Sequence, residues 1–538
     1  MTVGARPHRR GYPNRYLLMS IPATNKESLL IAGKAGVSGP LHAPVAPTRP
    51  ARMRPLNHMR VVWAVLLLYA VIFLCFYPEA LTNFDEVSYI RQAAAFATGT
   101  NTVDIVDPFT GSHRKELPSD YPPGTSLLMT PFVWLGGWRG AFLLGLVAVV
   151  VCVLITAKWI ADSGGSPLYA LLILGYLPTL VMTRTGMSDV PSACLAAAGL
   201  WLFWLGNEGP PWRRLAAGFL AGASICLREP NPILFACFFA GALLRRERHL
   251  IALIGGGLAG LACRPIAAAL VYGDPLFVKV QFYGFTGHHI PQNLIMYLTA
   301  VLVMVPGGLI FALAYRGHRW PELVSTVAIF VGMFIFYNYN AASSGGLKQW
   351  MLSLRFLIPL LPILAFAMAH TCPRWCAALT RSMRGERKIA WQNIGRATVT
   401  LWLVGVLVMS VLVNWRSDRW GKLHRDFVQA LYTHTSPEGP VVVDGPATIK
   451  FLNELHGRRM VAQLTGIHID QIRTLIERYK VVQFVFFDRD DSDYWLSKAQ
   501  ENRSLTAQIS TQFILTLALE QKFPGLGVVR IWKVTGRS

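Results

Sequence analysis

The sequence predicts a polytopic, all-α membrane domain with about 11 transmembrane helices, followed by a small α/β soluble domain. Of the 538 residues, 53% are hydrophobic and only 15% are charged, a composition that excludes an ordinary soluble globular protein. Eleven segments are apolar enough to cross a bilayer, which requires about 20 such residues each. After residue 414 the pattern changes to short apolar runs that alternate with amphipathic stretches, as in an α/β domain.

The N-terminal segment, residues 1–58, contains nine basic residues and one acidic residue and is rich in Pro, Gly and Arg. Its apolar content is too low to offset the entropy that folding would cost. We therefore predict that residues 1–58 form a disordered basic tail on the cytoplasmic side.

The membrane domain is predicted to occupy residues 59–414. Its predicted spans are residues 61–78, 141–160, 166–183, 187–206, 213–228, 230–244, 250–272, 293–314, 322–338, 354–371 and 397–414. Basic residues gather in alternate short loops, notably at 245–248 and 374–396, and such loops stay in the cytoplasm. The N-terminus is thus predicted to be cytoplasmic and the C-terminus external. The net charge of +22 is explained by this topology, and no nucleic-acid partner is expected.

The first external loop, residues 79–138, differs from the rest of this basic chain because it is acidic. It carries seven carboxylates against three basic side chains, and catalysis is the best explanation for such a cluster at a membrane surface. Asp85 and Glu86 open a segment of helical composition. The pair could be a helix cap with a solvated acid, or a base that removes a proton from an acceptor hydroxyl.

The loop ends at Tyr121-Pro122-Pro123-Gly124, which breaks the chain before an apolar run at residues 125–135. That run is too short to span a bilayer and is expected to lie at the interface or to re-enter the membrane. Tyr89 and Tyr121, the aromatic residues near the acidic pair and at the loop end, are candidate substrate-binding residues.

Asp189 is the second candidate acid. A carboxylate at the mouth of a spanning helix is costly unless it is paired or functional. Ser188 and Asp189 could also be a helix cap, with Pro191 in the first turn. The two interpretations are compatible, because a capping carboxylate is already held in place.

Basic residues at the external rim form a third group, and alone each would be an anchor whose charged end reaches the lipid headgroups. Together they predict a site for an anionic headgroup, since Arg suits bidentate phosphate binding. The candidates are Arg184, Arg228, Lys279, Lys348 and Arg355, with Arg264 inside a predicted span.

His113, His288 and His289 are the candidate metal ligands of the external side. The adjacent pair does not share a helical face and no acidic residue flanks it, so no metal site is predicted. No cofactor is expected to be required, and a divalent metal is the lesser alternative. The eight cysteines lie in predicted spans or on the cytoplasmic side and give no disulfide framework.

The tail, residues 415–538, is predicted to be an external α/β domain that assists acceptor recognition or stability and holds no catalytic residue. The acidic run from Asp488 to Asp493 is expected to be a solvated turn. Strands are predicted at 439–444, 481–488, 513–519 and 528–534, and helices at 447–455 and 470–479.

Four sequence stretches, taken in order, resemble the membrane glycosyltransferases of the C-type superfamily. The resemblance is to the branch with protein O-mannosyltransferases, the lipid A aminoarabinose transferase and rhizobial galacturonosyl transferases, and it covers residues 60 to about 370. The stretches are Phe84-Asp85-Glu86-Val87-Ser88-Tyr89, Tyr121-Pro122-Pro123-Gly124, Met187-Ser188-Asp189-Val190-Pro191 and Arg355-Phe356-Leu357-Ile358-Pro359-Leu360-Leu361-Pro362.

The resemblance implies an enzyme of a bacterial inner membrane that takes a sugar from a polyprenyl-phosphate donor. The acceptor would be a hydroxyl of a protein, a lipid A or a cell-wall glycan on the periplasmic face, and inversion is expected. Asp85 matches the family's base and Asp189 a second family acid, with Glu86 beside them. Two departures are Pro-Pro-Gly in place of Pro-Pro-Leu, and Asp120-Tyr121 in place of the Lys found before these prolines in aminoarabinose transferases.

A transporter or flippase of lipid-linked sugars or small molecules is the alternative function. It predicts inverted repeats and broken polar helices near mid-membrane, and the sequence has neither repeats nor carboxylates in mid-span. A non-catalytic scaffold would leave the acidic loop unexplained.

Overall fold

The computed structural model describes most of the chain from residue 55 onward. The described residues are 55–81, 84–206, 208–277, 284–337, 352–381, 386–436, 439–443, 460–463, 467–488, 493–524 and 527–536. The predicted disorder of residues 1–54, the helix at 447–455, and the candidates Lys279 and Lys348 lie outside them. Residues 55–58, predicted as part of the disordered N-terminal segment, already belong to the first helix.

Helices form most of the described chain. Those of the membrane domain and the external loop are α1 (Pro55–Cys75), α2 (Phe84–Ala97), α3 (Gly124–Gly140), α4 (Leu143–Asp162), α5 (Leu172–Gly175), α6 (Leu177–Thr183), α7 (Asp189–Leu205), α8 (Pro211–Ala223), α9 (Ile233–Leu244), α10 (Leu250–Tyr272), α11 (Ile290–Met304), α12 (Gly308–Leu313), α13 (Trp320–Phe336), α14 (Leu361–Arg381) and α15 (Glu386–His434). Three 3₁₀ segments, Pro167–Leu171, Ser224–Cys226 and Arg355–Leu360, lie between them.

Within the described residues, five helices are long and apolar enough to cross a membrane, and four shorter apolar helices lie among them. The chain is therefore a membrane protein, while the count of eleven spans stays a prediction. Two predicted spans are wrong as single helices. The span 166–183 is a 3₁₀ turn followed by α5 and α6, with a break before Pro178. The span 293–314 is divided into α11 and α12 at Gly307, whose φ is +71°.

The last membrane helix, α15, is 49 residues long. It contains the predicted span 397–414 and continues to His434 without a break. The boundary predicted at residue 415 thus lies inside a helix, which joins the membrane domain directly to the tail.

Glycines allow α8 and α10 to pack backbone against backbone. A Cβ added at Gly218 would overlap the carbonyl of Leu253, and one added at Gly256 would overlap that of Leu215. Small residues at such spacing let membrane helices approach closely and gain van der Waals contact. This contact fixes α10, whose last residue, Tyr272, reaches the external loop.

The external loop contains a hairpin that the sequence did not predict. Strands β1 (Val103–Val106) and β2 (His113–Glu116) pair antiparallel between α2 and α3. Phe109, at the hairpin turn, packs against the apolar core of the tail domain. Gly111 in the same turn has a φ of +69° and lies against Arg478. The acidic loop is therefore attached to the tail.

The tail domain contains a five-stranded sheet in the order β4-β3-β5-β7-β6. Its elements are β3 (Val441–Val443), β4 (Val461–Gln463), α16 (Ile469–Tyr479), β5 (Val481–Asp488), α17 (Asp493–Gln512), β6 (Phe513–Phe523) and β7 (Gly527–Gly536). β3 runs parallel to β4 and β5, whereas β5, β7 and β6 are antiparallel neighbours. The helices α16 and α17 cover one sheet face, and the end of α15 covers the other.

Four predicted elements of the tail agree with this domain: the strands at 481–488, 513–519 and 528–534 and the helix at 470–479. Of the first predicted strand, 439–444, Val441–Val443 pair in the sheet, and residue 444 lies outside the described residues. The solvated turn predicted for the acidic run is wrong at Asp488, which ends β5 and pairs with Arg530 at 2.8 Å.

A buried ionic cluster joins α8, the α9–α10 loop and α13. The carboxylate of Glu247 accepts hydrogen bonds from Arg214 at 2.6 Å and from Arg319 at 2.7 Å. Both guanidinium groups also lie against the ring of Phe203. Because both arginine side chains are 1% exposed, the carboxylate of Glu247 offsets part of their buried positive charge.

Candidate active site

Asp85 lies at the start of α2, where the sequence predicted a helix N-terminus. Its Oδ1 accepts a 2.5 Å hydrogen bond from the Tyr121 hydroxyl, and its Oδ2 lies 3.4 Å from Nη2 of Arg355. The Asp85 side chain is 25% exposed and that of Arg355 is 9% exposed. The carboxylate is therefore held from two sides and still reaches the surface.

The position of Tyr121 is fixed by contacts along its backbone and ring. Its amide donates to Ser119 Oγ at 3.1 Å, and its carbonyl accepts from the Tyr272 hydroxyl. Its ring centre lies 4.8 Å from that of Tyr89. Burial, reinforced by the Asp85 carboxylate, raises the pKa of Tyr121 well above 10.0. The phenol therefore stays protonated and donates to Asp85.

Glu86 points in a different direction from Asp85. It is 1% exposed and accepts a 2.9 Å hydrogen bond from the amide of Gly186. Gly186 belongs to the turn that precedes α7. The contact joins α2 to that turn, so the two predicted acidic motifs are neighbours in the fold.

Asp189 is buried, and its partner is Arg228. The carboxylate is 1% exposed and forms an ion pair with Arg228 Nη1. The predicted helix start with Pro191 in the first turn is confirmed. The predicted cap is wrong, because Ser188 has helical φ and ψ and makes no side-chain capping bond. Pairing with Arg228 is what compensates the buried charge.

Phe356 lies between the two acidic centres. The guanidinium carbon of Arg228 is 5.1 Å from its ring centre and that of Arg355 is 5.4 Å away. Cations over an aromatic face are attracted by the ring quadrupole. One ring therefore holds both arginines, so Asp85, Arg355, Arg228 and Asp189 form one continuous group.

The other predicted cations have different partners. Arg184 donates to Asn414 of α15 at 2.5 Å and lies over the ring of Phe73. Arg264, in α10, donates to the carbonyl of Phe277 at 3.0 Å and lies 3.8 Å from Glu229. Among the described contacts, neither meets Asp85 or Asp189.

Sequence reasoning did not predict the roles of Tyr272 and Phe356. Tyr272 bonds the Tyr121 backbone and itself accepts from Gln92 at 3.1 Å. It is the last residue of the apolar helix α10, and its aromatic hydroxyl was the only signal in the sequence. Phe356 follows Arg355 in the fourth of the sequence stretches, but nothing in the sequence indicates its contact with Arg228.

The described contacts of the three histidine candidates do not include Asp85, Asp189 or their arginine partners. His113 bonds Asp104 across the hairpin at 3.0 Å, and the rings of His288 and His289 lie 4.8 Å apart. Across the described residues, no three His, Cys, Asp or Glu side chains come together as a metal would need.

Chemically, the group combines a partly exposed carboxylate, a protonated phenol and guanidinium groups at one end of the membrane helices. The carboxylate can accept a proton. The guanidinium groups can bind an anion such as a phosphate.

Comparison with known proteins gives matches among solved structures alone. No family model matches the chain, and no curated protein matches it. The crystal structure of ArnT from Cupriavidus metallidurans bound to undecaprenyl phosphate superposes with a TM-score of 0.57 at 12% identity, over 89% of this chain and 98% of that chain. Its apo form gives 0.56 at 13% identity, with the same coverage.

The apo oligosaccharyltransferase from Archaeoglobus fulgidus gives a TM-score of 0.49 at 13% identity, over 81% of this chain and 70% of that chain. ArnT is a membrane glycosyltransferase of the C type. The ArnT matches extend over almost the whole of the matched chain, so the similarity includes the membrane helices and the tail. The protein is thus a membrane protein with the fold of the C-type membrane glycosyltransferases, which confirms the resemblance seen in its four motifs.

Proposed function

We propose that this protein transfers a sugar from a polyprenyl-phosphate donor to an acceptor hydroxyl at the external face of the membrane. The observation that carries the proposal is the arrangement of Asp85 between Tyr121 and Arg355. It offers a proton acceptor and an anion-binding cation within one contact of each other. The undecaprenyl phosphate named for ArnT supports a polyprenyl carrier.

Asp85 is the base in this proposal. The hydrogen bond from Tyr121 orients the carboxylate through Oδ1, and Oδ2 receives the proton of the acceptor. In the free protein Oδ2 faces Arg355. When the donor phosphate binds Arg355, that guanidinium exchanges one anion for another, and Oδ2 becomes available.

The bond changes balance in a single displacement. The acceptor oxygen attacks the anomeric carbon as its proton passes to Asp85 Oδ2, and a new glycosidic bond forms. The bond between the anomeric carbon and the phosphate oxygen breaks, and its electron pair leaves with the polyprenyl phosphate. Arg355 neutralises the developing charge of that phosphate. Attack from the face opposite the leaving group inverts the anomeric configuration.

The remaining predicted residues support this centre. Glu86 fixes α2 against the Gly186 turn, and Asp189 fixes Arg228, whose guanidinium shares Phe356 with Arg355. Lys348, Arg184 and Arg264 remain candidates for the donor headgroup, with Tyr89 and Tyr121 beside the sugar. We place the reaction at a bacterial inner membrane, with a protein, lipid A or cell-wall glycan as the acceptor.

The experiment that tests the function uses purified protein in sealed proteoliposomes with radiolabelled polyprenyl-phosphate sugars and a membrane extract. Transfer of the label to an extracted molecule, with release of polyprenyl phosphate, is the expected result. The matched control is the Asp85→Asn variant, which keeps the size of the side chain and should not transfer. Transbilayer movement of intact lipid-linked sugar without release of polyprenyl phosphate would instead support the transporter.

A further inference from the structure

The α9–α10 loop lies at the end of the membrane domain that is opposite to the acidic loop. α10 runs from Leu250 at this end to Tyr272, which contacts the external loop. The starts of α8 and α13 meet the α9–α10 loop through the bonds of Glu247. These segments carry a basic cluster, which consists of Arg213, Arg214, Arg245, Arg246, Arg248, Arg316 and Arg319. The acids beside it are Glu208, Glu247 and Glu322. The excess of positive charge favours an anion as a ligand.

Arg245 is fixed at the surface by two carboxylates that are themselves held in place. Its Nε donates to Glu247 Oε1 at 3.2 Å, and its Nη2 donates to Glu322. Glu247 is held in turn by the buried Arg214 and Arg319. The side chain of Arg245 is 45% exposed, and its Nη1 has no hydrogen bond among the described residues. The guanidinium therefore presents a donor to the surface in a fixed position.

Arg246 and Arg248 add two further cations to the same loop. Both are exposed, and neither side chain has an ion pair or a hydrogen bond within the described part of the chain. Arg246, His249 and Arg319 have positive φ angles of 49°, 62° and 60°. A residue with a Cβ adopts this conformation at a cost, and such strain is found where a ligand is held. Packing around the cluster therefore holds the loop in a conformation that it would not adopt by local preference.

This fixed geometry distinguishes the basic cluster from ordinary basic anchors. Basic residues at the cytoplasmic ends of membrane helices reach the headgroups on flexible side chains. Arg374 and Arg381 of α14 fit that description, since both are exposed and neither forms an ion pair among the described residues. Arg245 differs from them because buried carboxylates set its position. Donors that are already in place bind an anion at a smaller entropic cost.

The surroundings of the loop are suited to a lipid. Leu244, which precedes the loop, is 83% exposed, and Ile251, which follows it, is 88% exposed. Exposed apolar side chains on membrane helices face the acyl chains. The indoles of Trp212 and Trp320, at the starts of α8 and α13, are also exposed, and Trp is enriched at the level of the headgroups. An anion on the cluster is therefore next to a surface that acyl chains cover.

We propose that the basic cluster binds the phosphate of an anionic phospholipid. Arg245 donates through Nη1, Arg246 and Arg248 lie beside it, and the acyl chains lie along Leu244 and Ile251. Arginine suits this role because its donors match the geometry of phosphate oxygens. Basic pockets between membrane helices bind the headgroups of such lipids. A zwitterionic lipid also has a phosphate, but its choline cation is repelled by the excess positive charge.

The test uses the full-length, delipidated protein in detergent and native mass spectrometry with phosphatidylglycerol and phosphatidylcholine. Phosphatidylglycerol should bind about tenfold more tightly or better, since each basic residue near an anionic headgroup contributes roughly fivefold. The double variant Arg246→Gln/Arg248→Gln removes two of these cations and should weaken its binding by about tenfold or more. This variant breaks no described side-chain contact, so the fold should be retained.

The matched control is the double variant Arg374→Gln/Arg381→Gln. It removes the same charge at the same end of the membrane domain, because α14 starts next to Arg355 and ends at Arg381. Its affinity for phosphatidylglycerol should equal that of the wild type. If both double variants lose affinity equally, net charge alone explains the binding and the proposal is overturned. Equal affinity of the wild type for the two lipids overturns it as well.

A second measurement locates the lipid without any variant. Phosphatidylglycerol with a photoreactive headgroup should crosslink to the peptide that contains residues 245–249, and inorganic phosphate at the same concentration should not prevent this. Crosslinks confined to other peptides, or full competition by phosphate, would overturn the proposal. No sugar donor or acceptor is present in either measurement, so both results are independent of whether sugar transfer is observed.

Discussion

Arg355 and Asp85 are 270 residues apart in the chain, yet their side chains lie 3.4 Å from each other. Each comes from a different motif, one at the start of α2 and the other at the 3₁₀ turn before α14. The pair joins the proton acceptor to the cation of the proposed donor site. Its consequences can be tested one residue at a time.

Asp85→Asn should abolish most of the transfer. The change keeps the shape of the side chain and can still accept from Tyr121, but it removes the proton acceptor. Loss of a general base costs on the order of 10²- to 10⁴-fold in rate, and donor binding should not weaken, because the phosphate no longer competes with this carboxylate for Arg355. Single-turnover transfer and a donor binding isotherm measure the two effects. Asp104→Asn, an exposed acid of the hairpin, is the control, and equal rates in both variants would contradict the assignment.

Arg355→Ala should weaken donor binding. A charge-assisted hydrogen bond contributes about 1.5–3 kcal/mol, or roughly ten- to a hundredfold in the dissociation constant. Equilibrium binding of polyprenyl-phosphate sugar to protein in nanodiscs measures this. Arg114→Ala removes an arginine of the same external region that is 63% exposed and should leave the constant unchanged. An unaltered constant in the Arg355 variant would mean that this arginine is a structural residue.

Tyr121→Phe should lower kcat and leave the donor dissociation constant unchanged. The substitution removes the 2.5 Å hydrogen bond that orients Asp85, so the carboxylate can rotate away from the acceptor. We expect a loss of roughly tenfold to a hundredfold, the size of one bond to a charged group. Tyr77→Phe is the control, since the Tyr77 hydroxyl donates to the backbone of Arg139 and not to a carboxylate.

Glu247→Gln should destabilise the protein in a pH-dependent manner. Burial by itself raises the pKa of Glu247, but Arg319, Arg214 and Arg245 outweigh it and lower the value from 4.5 to about 2. The ionised carboxylate therefore contributes stability above pH 4.5, and this contribution is lost as the pH falls from 4.5 to about 2. Removing one partner of a buried pair costs about 3–5 kcal/mol.

Thermal unfolding of detergent-solubilised protein measures that effect. The midpoint of Glu247→Gln should lie well below the wild type at pH 7, and the two should approach each other near pH 3. Asp162→Asn, which breaks an exposed pair with Lys158, should change the midpoint little at either pH. A constant difference between Glu247→Gln and wild type across this range would rule out the linkage.

The predicted topology is tested by cysteine labelling. With the eight native cysteines replaced, Asp470→Cys in α16 should react with a membrane-impermeant reagent in intact cells. Glu208→Cys, between α7 and α8, should react only after permeabilisation. Residue 470 is 82% exposed, so access to the reagent depends on the side of the membrane alone. The reverse pattern would invert the topology and move the acidic loop to the cytoplasm.

The sequence alone determined which parts of the chain enter the membrane and which acids stand out. Hydropathy is a local property, so helices such as α4 and α10 were visible as apolar runs. The start of α2 at the acidic pair and the start of α7 with Pro191 also follow from local signals. Hydropathy failed to predict the helices where several Pro and Gly residues fall in one apolar run, as at residues 166–183. Whether a helix continues through such residues depends on packing against neighbouring helices, which the sequence does not show.

Tertiary structure alone decided the pairing of the charges. Asp189 had the pattern of a helix cap, and only packing against Arg228 makes it one half of a buried ion pair. The same holds for Arg184, which had the position of an external rim cation but donates to Asn414 of α15. A side chain's partner depends on which distant helices meet around it. That is set by close packing of surfaces such as those of α8 and α10, and by the energetic need to compensate each buried charge.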